Sequence, residues 1–408
     1  MEFEIQNGVL KKYHEEEGIT DVTIPDGVTS IGNSAFENCS NLTKIHIPDS
    51  VTSIGDVAFF CCSNLESITI PKSVTSIGWI AFEKCTNLKS INVDENNNIY
   101  TSQNGVLFNK NMTELLCCPK SKAGTYTIPD GVVSVMDWAF SDCSNLKSIT
   151  IPDSITSIGN FAFKNCSSLT DVNIPDGVTS IEERTFYGCS SLTQITISAS
   201  VTSIGEMAFD ECQNLESINI PDSVMSIENS AFYNCSSLTQ ITIPDGVTFI
   251  GNGAFFNCKS LKSITIHNHK FNLPKLTVLC KNGTEIDKAV NILFTKDYDK
   301  YKVDCATKYY MAVQVFLQSS QPEAEKYVKE NLEEVIKAFI RENDYNHLKE
   351  ILDCDKFTLT YDKITSVLEY AIENTQNGGN VEIQAYIMEY KHKYFSENNL
   401  LDNLKLNF

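Results

Sequence analysis

Cysteine is the residue type whose number and spacing most invite a chemical function, because fifteen cysteines occur among 408 residues. Cysteine thiolates serve as nucleophiles, redox centres and zinc ligands. Nine cysteines stand at the same place of a repeated phrase: Cys39, Cys62, Cys85, Cys143, Cys166, Cys189, Cys212, Cys235 and Cys258. Zinc is poorly supported, since no Cys-x-x-Cys spacing occurs. Because a buried free cysteine packs as a small apolar residue, we expect unpaired thiols and a reducing compartment.

Two further groups of side chains have the chemistry of metal ligands. His267 and His269 place two imidazoles on one side of an expected strand, but no third ligand is evident. Aspartate follows proline in seven turns, which would place a row of carboxylates along the solenoid: Asp26, Asp49, Asp130, Asp153, Asp176, Asp222 and Asp245. Carboxylate oxygens of this kind are ligands that calcium prefers. Pro-Asp-Gly is also ordinary turn chemistry. We favour the turn, and we predict no metal and no cofactor.

Motifs of known enzyme classes do not occur in the sequence. It has no Gly-rich phosphate loop, no Gly-x-Ser-x-Gly elbow and no His-Glu-x-x-His. The vicinal pairs Cys61-Cys62 and Cys117-Cys118 suggest redox activity, but each lies in or beside the expected core, where thiols are inert. We therefore predict that the chain is not an enzyme and has no catalytic residue.

The elements that position these residues follow from a 23-residue period. The isoleucine that ends each phrase stands at Ile24, Ile47, Ile70, Ile151, Ile174, Ile197, Ile220, Ile243 and Ile266. Phenylalanine recurs in the same way at Phe36, Phe59, Phe82, Phe140, Phe163, Phe186, Phe209, Phe232 and Phe255. One phrase in the middle carries a 12-residue insertion. A fixed period of this length predicts a solenoid, because no single repeat can bury its own apolar residues.

One phrase illustrates the expected turn of the solenoid. Residues 42–47 alternate apolar and polar residues, which predicts a strand. Pro48-Asp-Ser predicts a tight turn, residues 51–54 a second short extended segment, and residues 55–59 about one helical turn. The phrase closely resembles the BspA-type leucine-rich repeat over residues 1–268. That resemblance implies a leucine-rich-repeat stack with a parallel β-sheet and short helical turns, and a role in protein binding.

The domain organisation follows from departures from the period. Gln6-Asn-Gly-Val-Leu10 and Gln103-Asn-Gly-Val-Leu107 both contain a hairpin signal. We predict a capping hairpin over 1–23, a solenoid over 24–268 and a hairpin insertion at about 94–127 that ends near Tyr126.

The remaining residues, 269–408, are expected to form an all-α domain. One helical pattern opens at Thr284 and ends near Phe294, and further patterns cover 303–317, 322–342, 345–352, 360–374 and 381–395. The segments 338–352 and 370–387 faintly resemble ankyrin helix pairs, although the ankyrin Thr-Pro-Leu-His phrase is missing. This domain either caps the last repeat or provides a second interaction surface.

Charge narrows the class of partner. The net charge of the chain is −20. Residues 1–269 contain 14 basic and 30 acidic residues, so the solenoid accounts for −16 of it. A basic protein is the natural complement, whereas nucleic acid and anionic membranes are disfavoured. The sequence as written shows neither a signal peptide nor an apolar span, which predicts a cytoplasmic protein; if a leader was removed, the alternative is the cell surface or secretion. No oligomeric state is predicted.

Candidate contact residues fall in two groups. The outward strand positions are small and polar; they are solvated filler or a broad, weak hydrogen-bonding surface, with Lys44, His46, Gln194 and Gln240 as the candidates. Exposed aromatic and cationic residues are expected to give specific recognition: Trp79, Tyr100, Phe108, Lys110, Lys120, Lys122 and Trp138. We predict a non-catalytic protein-interaction scaffold; the alternative is a secreted or surface adhesin that binds host or matrix proteins.

Overall fold

The computed structural model of the chain describes residues 2–266, 269–272, 284–295, 305–319 and 321–395. Two compact units divide the chain, Met1–His267 and Asn268–Phe408. The first unit is a β-solenoid whose strands recur every 23 residues, and helices dominate the second. The predicted fold class, a solenoid of 23-residue turns followed by a helical region, is confirmed.

The solenoid begins with a hairpin of β1 (Glu2–Gln6) and β2 (Val9–His14). Its turn residues have positive φ angles of 50° at Asn7 and 76° at Gly8, as a tight hairpin requires. The ring centroid of Tyr13 lies 5.3 Å from that of Phe36. The stack continues into the hairpin, because the ring centroid of Tyr13 also lies 5.3 Å from that of Phe3.

Short parallel strands lie in two rows along the solenoid, which we call the first and second ladder, and each row is divided into separately paired runs. Within a run, equivalent residues of successive turns are in register, as in Ile45 with Ile68 and Ser53 with Ser76. The first ladder has the strands β3 (Asp21–Thr23), β5 (Lys44–His46), β7 (Ser67–Ile70), β9 (Ser90–Val93), β13 (Gly124–Thr127), β15 (Leu146–Thr150), β17 (Asp171–Asn173), β19 (Gln194–Thr196), β22 (Gln240–Ile243) and β24 (Ser263–Ile266). The second has β4 (Ser30–Ile31), β6 (Ser53–Ile54), β8 (Ser76–Ile77), β14 (Ser134–Val135), β16 (Ser157–Ile158), β18 (Ser180–Ile181), β20 (Ser203–Ile204), β21 (Ser226–Ile227) and β23 (Phe249–Ile250).

The core between the ladders is a stack of equivalent side chains. Consecutive phenylalanine rings lie 5.1 to 5.7 Å apart in near-parallel planes on each side of the insertion. All nine repeat-position cysteines are buried, and none of them forms a disulfide in the described part of the chain. The thiol of Cys62 donates to the carbonyl oxygen of Phe36 at 3.1 Å, and Cys85 repeats the contact with Phe59. The cysteines therefore tie each turn to the one before it.

The segment that was expected to form one helical turn does not form a helix. Residues 56–61 form a series of hydrogen-bonded turns, with positive φ angles of 49° at Val57 and 59° at Cys61. A left-handed residue breaks the helical run, and it turns the N–H of Val57 toward the carbonyl of Trp79 in the next turn, at 3.0 Å. Hydrogen bonds between turns replace those within a helix.

The insertion contains three strands rather than the two of the predicted hairpin. These are β10 (Tyr100–Gln103), β11 (Val106–Asn109) and β12 (Glu114–Cys117), in antiparallel order. Strand β12 also pairs in parallel with β14 and so takes the place of a second-ladder strand. The boundaries proposed for the cap, solenoid and C-terminal domain stay predictions.

The second unit contains the short strand β25 (His269–Asn272) and seven described helices. They are α1 (Thr284–Thr295), α2 (Cys305–Ser319), α3 (Pro322–Glu330), α4 (Leu332–Arg341), α5 (Tyr345–Leu352), α6 (Tyr361–Gln376) and α7 (Val381–Phe395). The single helix predicted over 322–342 is wrong, because Asn331 separates α3 from α4 with φ −112°. The predicted N-caps Asp344 and Thr360 accept from the backbone N–H groups of His347 and Lys363.

Candidate functional site: a cleft at the interrupted stack

A polar ladder on the loops after the second-ladder strands explains why the cleft forms. In the regular turns an Asn or Asp side chain accepts the backbone N–H of its equivalent in the next turn, as Asn33 does from Asp56 at 3.0 Å. Asp56 in turn accepts from Trp79 at 2.7 Å. Trp79 has no acceptor oxygen on its side chain, and the next turn contains the insertion. The polar ladder therefore stops at Trp79 and starts again at Asp137, which accepts from Asn160 at 2.7 Å.

The phenylalanine stack stops at the same place. Cys118 takes the backbone position of the missing phenylalanine, because its N–H donates to Ala139 at 2.7 Å just as Phe59 donates to Ala81 at 2.9 Å. A thiol is much smaller than a phenyl ring. Phe82, the last phenylalanine before the interruption, lines a cleft, whereas on the far side the ring centroid of Tyr126 lies 5.8 Å from that of Phe140.

An open cleft of about 490 Å³ occupies this interruption. Trp79 and Trp138 form its rim, with ring centroids 5.9 Å apart and planes at 90°. Trp79 is 58 % exposed, and Ile99 and Met136 beside it are also exposed. Surface pockets of this volume with aromatic walls are typical ligand sites.

The floor of the cleft contains a buried ion pair. The Nζ of Lys120 lies 2.8 Å from the Oε2 of Glu83, and both side chains are almost completely inaccessible. Ser141 donates to the Oε1 of Glu83 at 2.8 Å. Burial by itself lowers the pKa of Lys120, but the neighbouring Cys117 and Glu83 outweigh it and raise the pKa above its ordinary value. Because burial raises the pKa of the Cys117 thiol to about 11, that thiol is neutral at pH 7, and Glu83 is the group that keeps Lys120 charged.

Tyr100 closes one side of the cleft. Its hydroxyl accepts the backbone N–H of Ile77 on the last second-ladder strand before the insertion, at 3.2 Å. The hydroxyl thus takes the hydrogen bond of an N–H group that would otherwise pair with a further strand of the second ladder. Burial raises the pKa of Tyr100. The tyrosine helps to fix the insertion against β8.

Four of the predicted contact residues line this cleft: Trp79, Tyr100, Lys120 and Trp138. Two of the expected exposed residues are buried, which corrects the prediction. Phe108 is 0 % exposed because β11 is buried on both of its faces, and Lys120, which pairs with Glu83, is 2 % exposed. Lys110 is exposed and Lys122 is half-buried.

The remaining candidates lie on the first ladder, away from the cleft. Lys44, His46, Gln194 and Gln240 are exposed on their strands. His46 lies 3.2 Å from Asp21 in an exposed pair. Among the residues that the structure describes, no three His, Cys, Asp or Glu side chains are grouped to hold a metal ion. His267 and Cys280 lie outside the described residues.

Sequence reasoning missed several residues of the cleft, namely Glu83, Ile99, Glu114 and Met136. Met136 carries a detectable signal, because it stands where Gly55, Gly78 and Gly159 stand in other turns. Glu83 carries none, since the residue after the repeated phenylalanine varies along the chain.

Comparison with known proteins agrees with the solenoid. Among solved structures, a leucine rich cell surface protein from Faecalibacterium prausnitzii is 34 % identical, with a TM-score of 0.47. That alignment covers 62 % of this chain and 60 % of the other, so this chain spans about three fifths of that protein's length. The pneumococcal vaccine antigen PcpA is 25 % identical over 61 % of this chain and 68 % of its own, with a TM-score of 0.51.

A leucine-rich repeat protein from Eubacterium ventriosum is 27 % identical over 64 % of this chain and 92 % of its own, with a TM-score of 0.46. None of the curated proteins gives a significant match. No described helix is long and apolar enough to cross a membrane. The BspA type leucine rich repeat model matches residues 10–122, 116–232 and 202–297. The chain therefore belongs to the BspA-type leucine-rich repeat family.

Proposed function

We propose that this chain is a non-catalytic protein-binding scaffold and that the cleft of the solenoid is its main recognition site. The observation that carries the proposal is the exposure of Trp79 at the mouth of a cleft whose walls are largely apolar. Tryptophan is one of the residue types that are enriched among the few side chains contributing most of the binding energy at protein interfaces. The strand face offers no such anchor, since its residues are mostly small and polar.

The test compares three forms of the full chain in a cross-linking capture of native partners. Trp79→Ala removes the anchor, whereas the double variant Gln194→Ala/Gln240→Ala changes only the strand face. We expect the first to lose the partners that the unchanged chain captures and the second to retain them. Partners lost only from the double variant would move recognition to the strand face. Partners retained by both variants would contradict a solenoid site.

A surface or secreted adhesin is the second candidate. Similarity to the pneumococcal vaccine antigen PcpA favours it. The thirteen free cysteines of the described residues favour a reducing compartment instead. Labelling of intact cells with a membrane-impermeant biotin reagent distinguishes a surface protein from an internal one. If the chain is biotinylated while a cytosolic marker stays unlabelled, the protein is on the surface. Labelling only after lysis means an internal one.

A further inference from the structure

The surface next to the cleft already binds cations on aromatic rings. The Nζ of Lys164 lies 4.7 Å from the ring centroid of Trp138, and the guanidinium of Arg184 lies 5.3 Å from that of Phe161. Trp138 and Phe161 stack on each other at 4.1 Å, so one face of Trp138 is covered. A ring face attracts a cation because its quadrupole is negative there. Among the described residues, no cation lies over the ring of the exposed Trp79.

The carboxylates of the cleft exceed its cations. Glu83, Glu114 and Asp137 line it together with one cation, Lys120. Glu83 is neutralised by Lys120 at 2.8 Å. In the described part of the chain neither Glu114 nor Asp137 pairs with a lysine, arginine or histidine. Low-dielectric walls strengthen the potential of such unpaired charges, so the cleft attracts positive charge.

Size and composition favour a side chain on a polypeptide. The cleft of about 490 Å³ is open to solvent and combines apolar walls with two unpaired carboxylates. An arginine or lysine side chain matches this combination, because its alkyl part is apolar and its head is cationic. The net charge of −16 on residues 1–269 also favours the approach of a basic segment.

We propose that the cleft binds an arginine or lysine side chain from an extended, basic segment of a partner protein. The cationic group lies against the ring of Trp79 and close to Glu114, and the alkyl part packs beside Ile99 and Met136. This assignment rests on the proposed function, since it names the partner chemistry of the same cleft.

The tryptophan fluorescence of the chain can be used to measure binding in this cleft, because Trp79 and Trp138 are its only two tryptophans. The full chain is titrated with an acetylated, amidated pentapeptide of alanines with one central arginine or lysine. Matched peptides carry citrulline, which keeps the shape of arginine without its charge, or leucine. We expect a saturable change of emission with arginine or lysine, weaker at high salt, and none with citrulline.

Single substitutions test which carboxylate of the chain binds the cationic group of the peptide. We expect Glu114→Gln to weaken binding of the arginine peptide about tenfold, while Glu216→Gln, an exposed carboxylate elsewhere on the solenoid, leaves it unchanged. Trp138→Phe keeps Trp79 as the sole tryptophan, and its emission should still change on binding. Circular dichroism spectra like that of the unchanged chain show that each variant is folded.

Three results would overturn the inference. Equal binding of citrulline and arginine, or binding of the leucine peptide alone, would show an apolar rather than a cationic ligand. A lack of response to every peptide would also reject it. In each of these cases the proposed function would still stand if capture of partners is lost in Trp79→Ala. Capture that is unchanged in Trp79→Ala would reject the proposed function independently of the peptide results.

Discussion

Lys120 and Glu83 form a buried ion pair of 2.8 Å that joins the insertion to the turn before it. The two residues are 37 positions apart in the sequence. Neither charge is stable alone at this depth, because desolvation costs several kcal/mol per buried ion. The insertion can therefore take only a position in which both partners meet.

Replacing one partner of this pair should be costly. We expect Lys120→Met to lower the free energy of unfolding by about 3–5 kcal/mol, since it leaves the Glu83 carboxylate buried without a counter-charge. The double variant Glu83→Gln/Lys120→Met should recover most of the loss. Urea denaturation followed by circular dichroism measures both. The exposed Lys147→Met serves as the control, with a change of at most about 0.5 kcal/mol. An equal loss in the single and double variants would mean that packing, not charge, matters here.

Asp210 should give the solenoid a pH-dependent stability. Its Oδ1 is buried without a hydrogen-bond partner. Burial, followed by the negative charge of Glu211, raises the pKa of its carboxyl to about 7, and Arg184 offsets part of the effect. The folded chain then holds a proton that the unfolded chain releases above about pH 4. Its stability contribution therefore falls as the pH rises from about 4 to about 7 and stays low above that.

The substitution Asp210→Asn tests this dependence. We expect the variant to be more stable than the unchanged chain by about 1–3 kcal/mol at pH 8 and nearly equal at pH 4. Thermal unfolding at a series of pH values provides the measurement. Asp222→Asn, at an exposed turn, should not change the profile. A difference that is constant with pH would show that ionisation of Asp210 plays no part.

The repeat cysteines should be unreactive until the solenoid unfolds. Burial raises the pKa of Cys39 to about 12, and that of Cys62 lies well above its ordinary value for the same reason. At pH 8 these thiols are protonated and shielded, so we expect little labelling by an aromatic disulfide reagent in buffer and complete labelling in guanidinium. Peptide mass mapping assigns the sites. Fast labelling of Cys39 and Cys62 in the folded protein would contradict their place in the core.

Two glycines allow a matched test of how the insertion is seated. Gly105 and Gly124 have similar positive φ angles of 77° and 75°. A Cβ at Gly105 would lie 2.9 Å from the Cβ of Ser90, whereas at Gly124 nothing lies within 4 Å. We expect Gly124→Ala to cost only the left-handed strain of about 1 kcal/mol. Gly105→Ala should cost more, because β11 must also move away from β9. Equal losses in denaturant titrations would mean that the insertion is not packed as the structure shows.

Much of the architecture was predictable from local pattern. The recurrence of Phe59 and Cys62 every 23 residues determines the stack, since equivalent residues of a solenoid must meet. The caps Asp344 and Thr360 were predictable because capping involves only residues within the first turn of the helix. The break at Asn331 was not, because the apolar pattern continues across it and gives no local stop signal.

The sequence by itself determined the period, the core residues and the place where the period fails. Only the tertiary structure decided which contacts form where the period is interrupted. Trp79 and Trp138 meet although they are 59 positions apart, and Lys120 lies inside although its residue type predicts exposure. The physical reason is that a repeat specifies contacts between neighbouring equivalents. An irregular segment has no equivalent, so its contacts depend on volume and charge supplied by distant turns.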